Sequence, residues 1–216
     1  MKLINLAKLD NLIYFNINTL LALNKTASKK SLELSIYHWL KNGELISLKK
    51  GFYITKKNYL KYYQNPKYSE FLAGIIKYPS YLSLDYVLSK YNILTQGTYG
   101  ITSISLKTGS IVKNKINTFV YRNIKKSMYW GFNKKYFLNY EFFEASKEKA
   151  LLDYLYYKKR KLGVNFNKRN LVLDFRLNLE NFTKKDFDKL NFMAHKTNSP
   201  KLLKIIKNIT KNAPYT

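Results

Sequence analysis

The sequence predicts an α+β fold in two parts, and three observations carry that reading. Residues 16–55 run helix, tight turn, helix, strand, basic turn, strand. Gly97 to Leu106 alternates apolar and polar residues in the manner of a strand, and two further β-rich runs follow it. From Ser146 onward the apolar residues recur at helical spacing. We therefore expect an N-terminal winged helix-turn-helix over residues 1–62. Over residues 68–216 we expect a mixed α/β domain with a small antiparallel sheet and terminal helices.

Each element has a local reason. Residues 1–15 read as a leading helix or arm. Ile17 to Leu23 is a short helix, and Asn24-Lys-Thr-Ala27 is a tight turn. Ser28 to Asn42 is a second helix, stopped by Gly43. Leu45 to Leu48 and Phe52 to Thr55 are strands joined by Lys49-Lys-Gly51. Residues 58–67 read as a linker with a helical start, and Pro66 marks a break. Residues 68–78 form an apolar helix or strand that Pro79-Ser80 interrupts. Ser83 is placed to cap a helix that runs through Leu88 and ends near Asn92. In the alternating run, Tyr99, Ile101, Ile104 and Leu106 oppose Thr98, Thr102, Ser103 and Ser105, with one slip of register. Thr108-Gly-Ser110 is a turn, and residues 111–115 and 116–124 read as strands. Ser146 begins a helix with Ala150, Leu151, Leu152 and Leu155 on its apolar face, ended by Gly163. Thr183-Lys-Lys-Asp186 is a capping-box variant, with Phe182 and Phe187 placed as a hydrophobic staple. Ser199-Pro200 supplies the cap and first residue of a last helix. Its Leu202, Ile206 and Ile209 share one face, and Lys201, Lys204, Lys207 and Lys211 share another.

Composition narrows the classes. Hydrophobic residues make up 46% of the chain and aromatics 16%, enough for a buried core. The 39 basic and 13 acidic residues give a net charge of +26, which favours polyanionic partners. Net charges of +8, +11 and +7 over residues 1–65, 66–165 and 166–216 show no detachable basic arm. Only four of the basic residues are Arg, and Asn, Ile and Tyr abound, a mixture that an AT-rich coding sequence also produces. Cysteine is absent, which excludes disulfide and thiolate chemistry. No apolar run approaches the ~20 residues of a membrane span, and the N-terminus does not read as a signal peptide. The expectation is a cytoplasmic protein with no membrane partner.

The second helix of the N-terminal unit carries the functional reading. At about 100° per residue, Leu32, Ile36, Trp39 and Leu40 fall in one sector, the core face. Lys30, Leu34, Tyr37 and Lys41 fall in the opposite sector, with Ser31 and His38 at its edge. In a helix-turn-helix the N-terminal residues of this helix reach base edges in the major groove. Ser28, Lys29, Lys30, Ser31 and Leu34 are the first candidates for duplex DNA contact, then Tyr37 and Lys41. Lysine suits phosphates and guanine edges, and a leucine suits a thymine methyl. Lys49 and Lys50 at the wing tip are candidates for the backbone or minor groove. The alternative readings are a winged helix used for protein contacts and a merely solvated basic face.

Catalytic patterns are weak. His38 and His195 are the only histidines and fall on different units, which suggests neither a metal site nor a Ser-His pair. Neither a Gly-x-x-x-x-Gly-Lys loop nor a Gly-x-Gly-x-x-Gly is present. Minimal nucleotidyltransferases use Gly-Ser followed about a dozen residues later by Asp-x-Asp. Here Gly109-Ser110 is next followed by the acid Glu141, and Asp186-Phe-Asp188 opens a helix. We expect neither an enzyme nor a cofactor.

Four blocks come in an order seen in a known family. They are Leu48-Lys-Lys-Gly-Phe-Tyr53, Tyr78-Pro-Ser-Tyr-Leu-Ser-Leu-Asp-Tyr-Val-Leu88, Phe119-Val-Tyr-Arg-Asn-Ile124 and Glu144-Ala-Ser-Lys-Glu-Lys-Ala-Leu-Leu-Asp153. Over roughly residues 16–160 the chain resembles AbiEi-type antitoxins, the antitoxin and transcriptional-regulator partners of AbiE abortive-infection (type IV toxin–antitoxin) systems. The resemblance implies a winged helix that represses its own operon and a C-terminal domain that counteracts a nucleotidyltransferase toxin. In that second domain, Arg122, Lys125, Lys126, Lys158, Lys159, Arg160 and Lys161 are candidates for a basic partner or nucleic-acid surface. For the last four, a solvated helix end favoured by the helix dipole is the competing reading. A standalone winged-helix regulator and a basic RNA-binding protein remain the alternatives.

Overall fold

The computed structural model describes residues 6–160 and 162–213, without the side chains of residues 164 and 165. The arrangement is α+β, with one small antiparallel sheet and one larger mixed sheet.

The N-terminal part follows its local signals closely. Strand β1 (Phe15–Asn16) leads into α1 (Ile17–Leu23), then come α2 (Lys29–Lys41), β2 (Leu45–Lys49) and β3 (Phe52–Thr55). Asn16 and Thr19 close a reciprocal capping box on α1. Ser28 Oγ accepts from the Ser31 amide and starts α2. Gly43, at φ +73°, takes the left-handed conformation that ends α2. Strands β2 and β3 are antiparallel, with Ile46 opposite Ile54, and Gly51 at φ +82° turns the chain between them. β1 pairs with the other side of β3, Phe15 facing Tyr53, so the order is β1-β3-β2. At two residues, β1 is too short for any periodic signal, and it straddles the boundary the sequence suggests between the leading arm and the helix-turn-helix.

This small sheet is covered on both faces. Leu9, Phe15, Leu20, Leu32, Ile36 and Leu45 form one core with α1 and α2. Ile13, Ile46, Leu48 and Ile54 join the large core of the rest of the molecule.

The second part begins where a linker is expected. Residues 58–67 are instead largely helical, shared by α3 (Lys56–Tyr62) and the start of α4 (Pro66–Ile76). Pro66 does separate the two, but as the first residue of α4, with Asn65 as its cap. Next come β4 (Ser80–Leu82), α5 (Leu84–Lys90), β5 (Ile101–Ser105), β6 (Ser110–Lys113), β7 (Thr118–Asn123), β8 (Phe132–Phe137) and β9 (Tyr140–Ala145). Helices α6 (Lys147–Lys158), α7 (Leu171–Asp174), α8 (Lys184–His195) and α9 (Pro200–Asn212) follow. Helix α6 stops before the Gly163 that the sequence suggests, with Lys159 at its cap position.

The large sheet departs from the expected small antiparallel one. It has six strands in the order β6-β7-β5-β4-β9-β8. Strands β4 and β9 run parallel, as do β5 and β7, while the other neighbours are antiparallel. Parallel neighbours come from distant segments, which local pattern does not reveal. In β5 the serines and threonines that read as a solvent face are buried, because α4 and α5 both pack against this strand. Two of the three hydroxyls are satisfied internally: Thr102 Oγ1 donates to the Ser83 carbonyl at 2.6 Å, and Ser105 Oγ to that of Pro79 at 2.8 Å.

Charged groups are buried beneath the sheet. Lys149 and Asp153 of α6 pair at 2.5 Å with no exposed side-chain surface. The hydroxyls of Tyr81 and Ser83 also donate to Asp153. Ser83 therefore holds α6, not its own helix, and makes no side-chain cap on α5. Lys90 bridges the buried carboxylates of Glu70 and Glu144, at 2.8 and 2.5 Å. Among the described residues no helix is long and apolar enough to cross a membrane.

Candidate functional site

Helix α2 has two unlike faces, and packing decides which residues each shows. Leu32 and Ile36 are buried against α1 and the small sheet, with Trp39 and Leu40 half-buried beside them. On the other side Lys29, Lys30 and Lys41 are exposed. So are Leu34 at 54% and Tyr37 at 59%, large apolar surfaces left uncovered. Ser28 is exposed and Ser31 half-buried, and their contact is the cap itself. The first turn of α2 thus presents amide groups and two ammonium groups together, a setting that favours phosphate oxygens.

The β2–β3 hairpin divides its two lysines. Lys50 is exposed at the turn. Lys49, read from the sequence as a second tip residue, turns inward. Its Nζ donates to the carbonyls of Ile75 at 3.1 Å and Ile76 at 2.7 Å, and lies 4.1 Å from the Phe52 ring centroid. The C-terminal carbonyls of α4 lack helical partners and carry partial negative charge, so an ammonium settles there. Burial lowers the Lys49 pKa, and nearby Lys107 and Lys77 lower it further.

In the second part, most of the basic candidates gather at one end of α6. Arg122 of β7 and Lys158 of α6 line a single cleft of about 390 Å³ with Tyr154, Tyr157 and Asp85. Burial pushes the Tyr154 and Tyr157 hydroxyls up to about 12. Lys159 is half-buried, its pKa lowered by burial and then by Lys125, Arg160 and Lys201. Lys126 is exposed on a short 3-10 turn. Lys161 lies outside the described residues.

The residues of the catalytic patterns have structural occupations. Ser110 Oγ accepts from Lys77 Nζ at 2.7 Å. Asp186 caps α8 and accepts from Lys147 Nζ at 2.7 Å. His38 and His195 are exposed on different helices. Among the described residues, no group of three His, Asp or Glu side chains is placed to hold a metal ion.

One constellation has no signal in the sequence. Lys49, Lys77 and Lys107 come from three separate segments and meet where the N-terminal part touches α4 and the large sheet. No family model matches the chain, and no curated protein matches it significantly.

Proposed function

We propose that the chain is a DNA-binding antitoxin and autorepressor whose N-terminal part is a winged helix-turn-helix. In this reading α1, the following turn and α2 are the helix-turn-helix, α2 enters the major groove, and the β2–β3 hairpin is the wing. The observation that carries it is the outer face of α2. Ser28, Lys29, Lys30, Leu34, Tyr37 and Lys41 stand exposed on a helix whose opposite face is locked into a core. A net charge of +26 supplies the salt-dependent attraction to phosphates, and the side chains of α2 supply the base contacts.

The antitoxin half rests on the resemblance of residues 16–160 to AbiEi-type proteins. It assigns the second part, with Arg122, Lys125, Lys126, Lys158, Lys159 and Arg160, to counteracting a nucleotidyltransferase toxin. Co-expression with a nucleotidyltransferase encoded beside it tests this half: growth is restored if the assignment holds. A gene neighbourhood without such an enzyme makes the chain a standalone regulator.

The DNA-binding half is tested by titrating the protein with its own upstream DNA, an unrelated duplex and an RNA hairpin, at low and near-physiological salt. Preference for the upstream DNA by ~10³ or more that survives salt is the expected result. Equal binding to all three that collapses with salt overturns it, as does preference for the RNA.

A further inference from the structure

A cavity of about 430 Å³ lies between the two parts of the molecule. Tyr14, Lys49 and Phe52 form its wall on the N-terminal side, and Phe71 and Phe143 face them from α4 and β9. The rings already touch one another: Tyr14 stands 6.2 Å from Phe52 at an interplanar angle of 22°, and 6.1 Å from Phe71 at a tilted 53°. Apolar walls, a few polar groups and a position between two structural units are the usual properties of a small-molecule site.

The glycine in the wall is unexpected. Gly74 sits in the interior of α4, where glycine is a poorer helix former than alanine. A Cβ at Gly74 would meet only Phe142 Cβ, at an ordinary 3.9 Å, so neighbouring packing does not require glycine. What a larger side chain would remove is room, because Gly74 lines the cavity.

The charge in the cavity is one-sided. Lys49 and Lys107 line it, and Lys77 stands close enough to depress the Lys49 pKa, after burial and Lys107. The Lys49 ammonium donates to two carbonyls, and that of Lys77 to the Thr108 carbonyl and the Ser110 hydroxyl, none of them anionic. Among the described residues the one carboxylate in the lining, Glu141, is already paired with Lys134 at 2.6 Å. The site has aromatic walls and two lysines, and its one carboxylate is paired with Lys134 rather than with them.

We propose that this cavity binds a small aromatic anion, its ring against the wall of Tyr14, Phe52 and Phe71 and its carboxylate or phosphate at Lys49 and Lys107. The proposal stands apart from duplex binding, since none of these residues lies on the outer face of α2.

Calorimetric titration of the full chain with 2-naphthoate and with the neutral 2-naphthylmethanol, at near-physiological salt, tests it. Saturable one-to-one binding of the naphthoate is expected, at least about tenfold tighter than the alcohol, the worth of one charge-assisted hydrogen bond. Gly74→Leu fills the cavity and should abolish binding, while Gly74→Ala should keep the fold with an equal or higher thermal midpoint. Lys107→Gln, at an exposed position, should weaken naphthoate binding several-fold even if Gly74→Leu fails to fold. Lys207→Gln, exposed on α9 and outside the lining, should leave it unchanged. Unsaturable binding, equal affinity for the alcohol, full affinity in folded Gly74→Leu, or equal losses in Lys107→Gln and Lys207→Gln would each overturn the proposal.

Discussion

Lys149 has no exposed side-chain surface, and its partners set what replacing it costs. Its ammonium donates to Asp153 at 2.5 Å and to the Met128 carbonyl at 3.0 Å, and sits 4.9 Å from the Trp130 ring centroid. Lys149→Met leaves the Asp153 carboxyl, whose pKa burial already raises, without its counter-charge, so a loss of about 3–5 kcal/mol is expected by urea denaturation. Adding Asp153→Leu should recover part of that loss, because the orphaned carboxyl disappears with it. The sequence shows only a Lys and an Asp four residues apart, a spacing common on exposed helices. Burial comes from the large sheet, which no local pattern contains. The same contrast separates the candidate DNA contacts. Lys30 projects from α2 into solvent, whereas Lys49 is tied to Ile75 and Ile76. On the proposed function, Lys30→Ala should weaken duplex binding and lower the slope of log affinity against log salt by about 1. Lys49→Ala should leave that slope unchanged and cost folding stability instead. A filter-binding salt series with urea melts of both variants checks the pair; an equal slope change in both would sink the distinction.

At the scale of elements, the starts of α1, α2, α5, α6, α8 and α9 were legible, whereas those of α3, α4 and α7 and several strands were not. Caps are local chemistry. The Thr183 hydroxyl accepts from the Asp186 amide, the Asp186 carboxylate accepts from the Thr183 amide, and the Phe182 and Phe187 rings meet at 5.3 Å. Thr183→Ala is expected to cost about 1 kcal/mol. Burial pushes the Asp186 carboxyl up, but hydrogen bonds from Lys147 and from the Thr183 amide and hydroxyl outweigh it and hold the pKa below 3.8. A depressed folded-state pKa means the stabilisation is complete above the unfolded value and is lost as pH falls through the folded one. The difference in denaturation midpoint between the wild type and Asp186→Asn should therefore be constant near neutrality and shrink on acidification below 3.8. A constant difference down to the acid transition would contradict this. Strands β1 and β4 have two and three residues, too few for alternation to register. Strands β8 and β9 mix lysine and glutamate with aromatics, and β5 hides polar residues inside. Strands β8 and β9 pair with each other as a hairpin, Phe137 opposite Tyr140, but without clean alternation, and β5 takes its strand character from β4 and β7.

On the scale of the whole molecule, the two parts share one core. Ile13, Ile46, Leu48 and Ile54 belong to the same buried cluster as Phe71, Leu151 and Ile206. Asn114 Nδ2 adds a bond to the Leu48 carbonyl at 3.0 Å. Unfolding is therefore expected as one cooperative transition, with tryptophan fluorescence reporting Trp39 and Trp130 and circular dichroism tracing the same curve. Two separated transitions would mean the shared core contributes little. The candidate site was legible to the extent that it lies on one helix, where Leu34 and Tyr37 fall opposite Leu32 and Ile36 by periodicity alone. The inward turn of Lys49 and the meeting of Arg122 with Lys158 depend on how the large sheet is ordered. That order has a further consequence during synthesis. Strand β4 lies between β5 and β9, and its bond to β9 joins Leu82 to Glu144. On a ribosome adding about 5–20 residues per second, β9 emerges roughly 3–12 s after β4. Through that interval the middle of the future sheet has a bare edge, and the nascent chain must be kept from pairing with others until Tyr140–Ala145 arrives to close it.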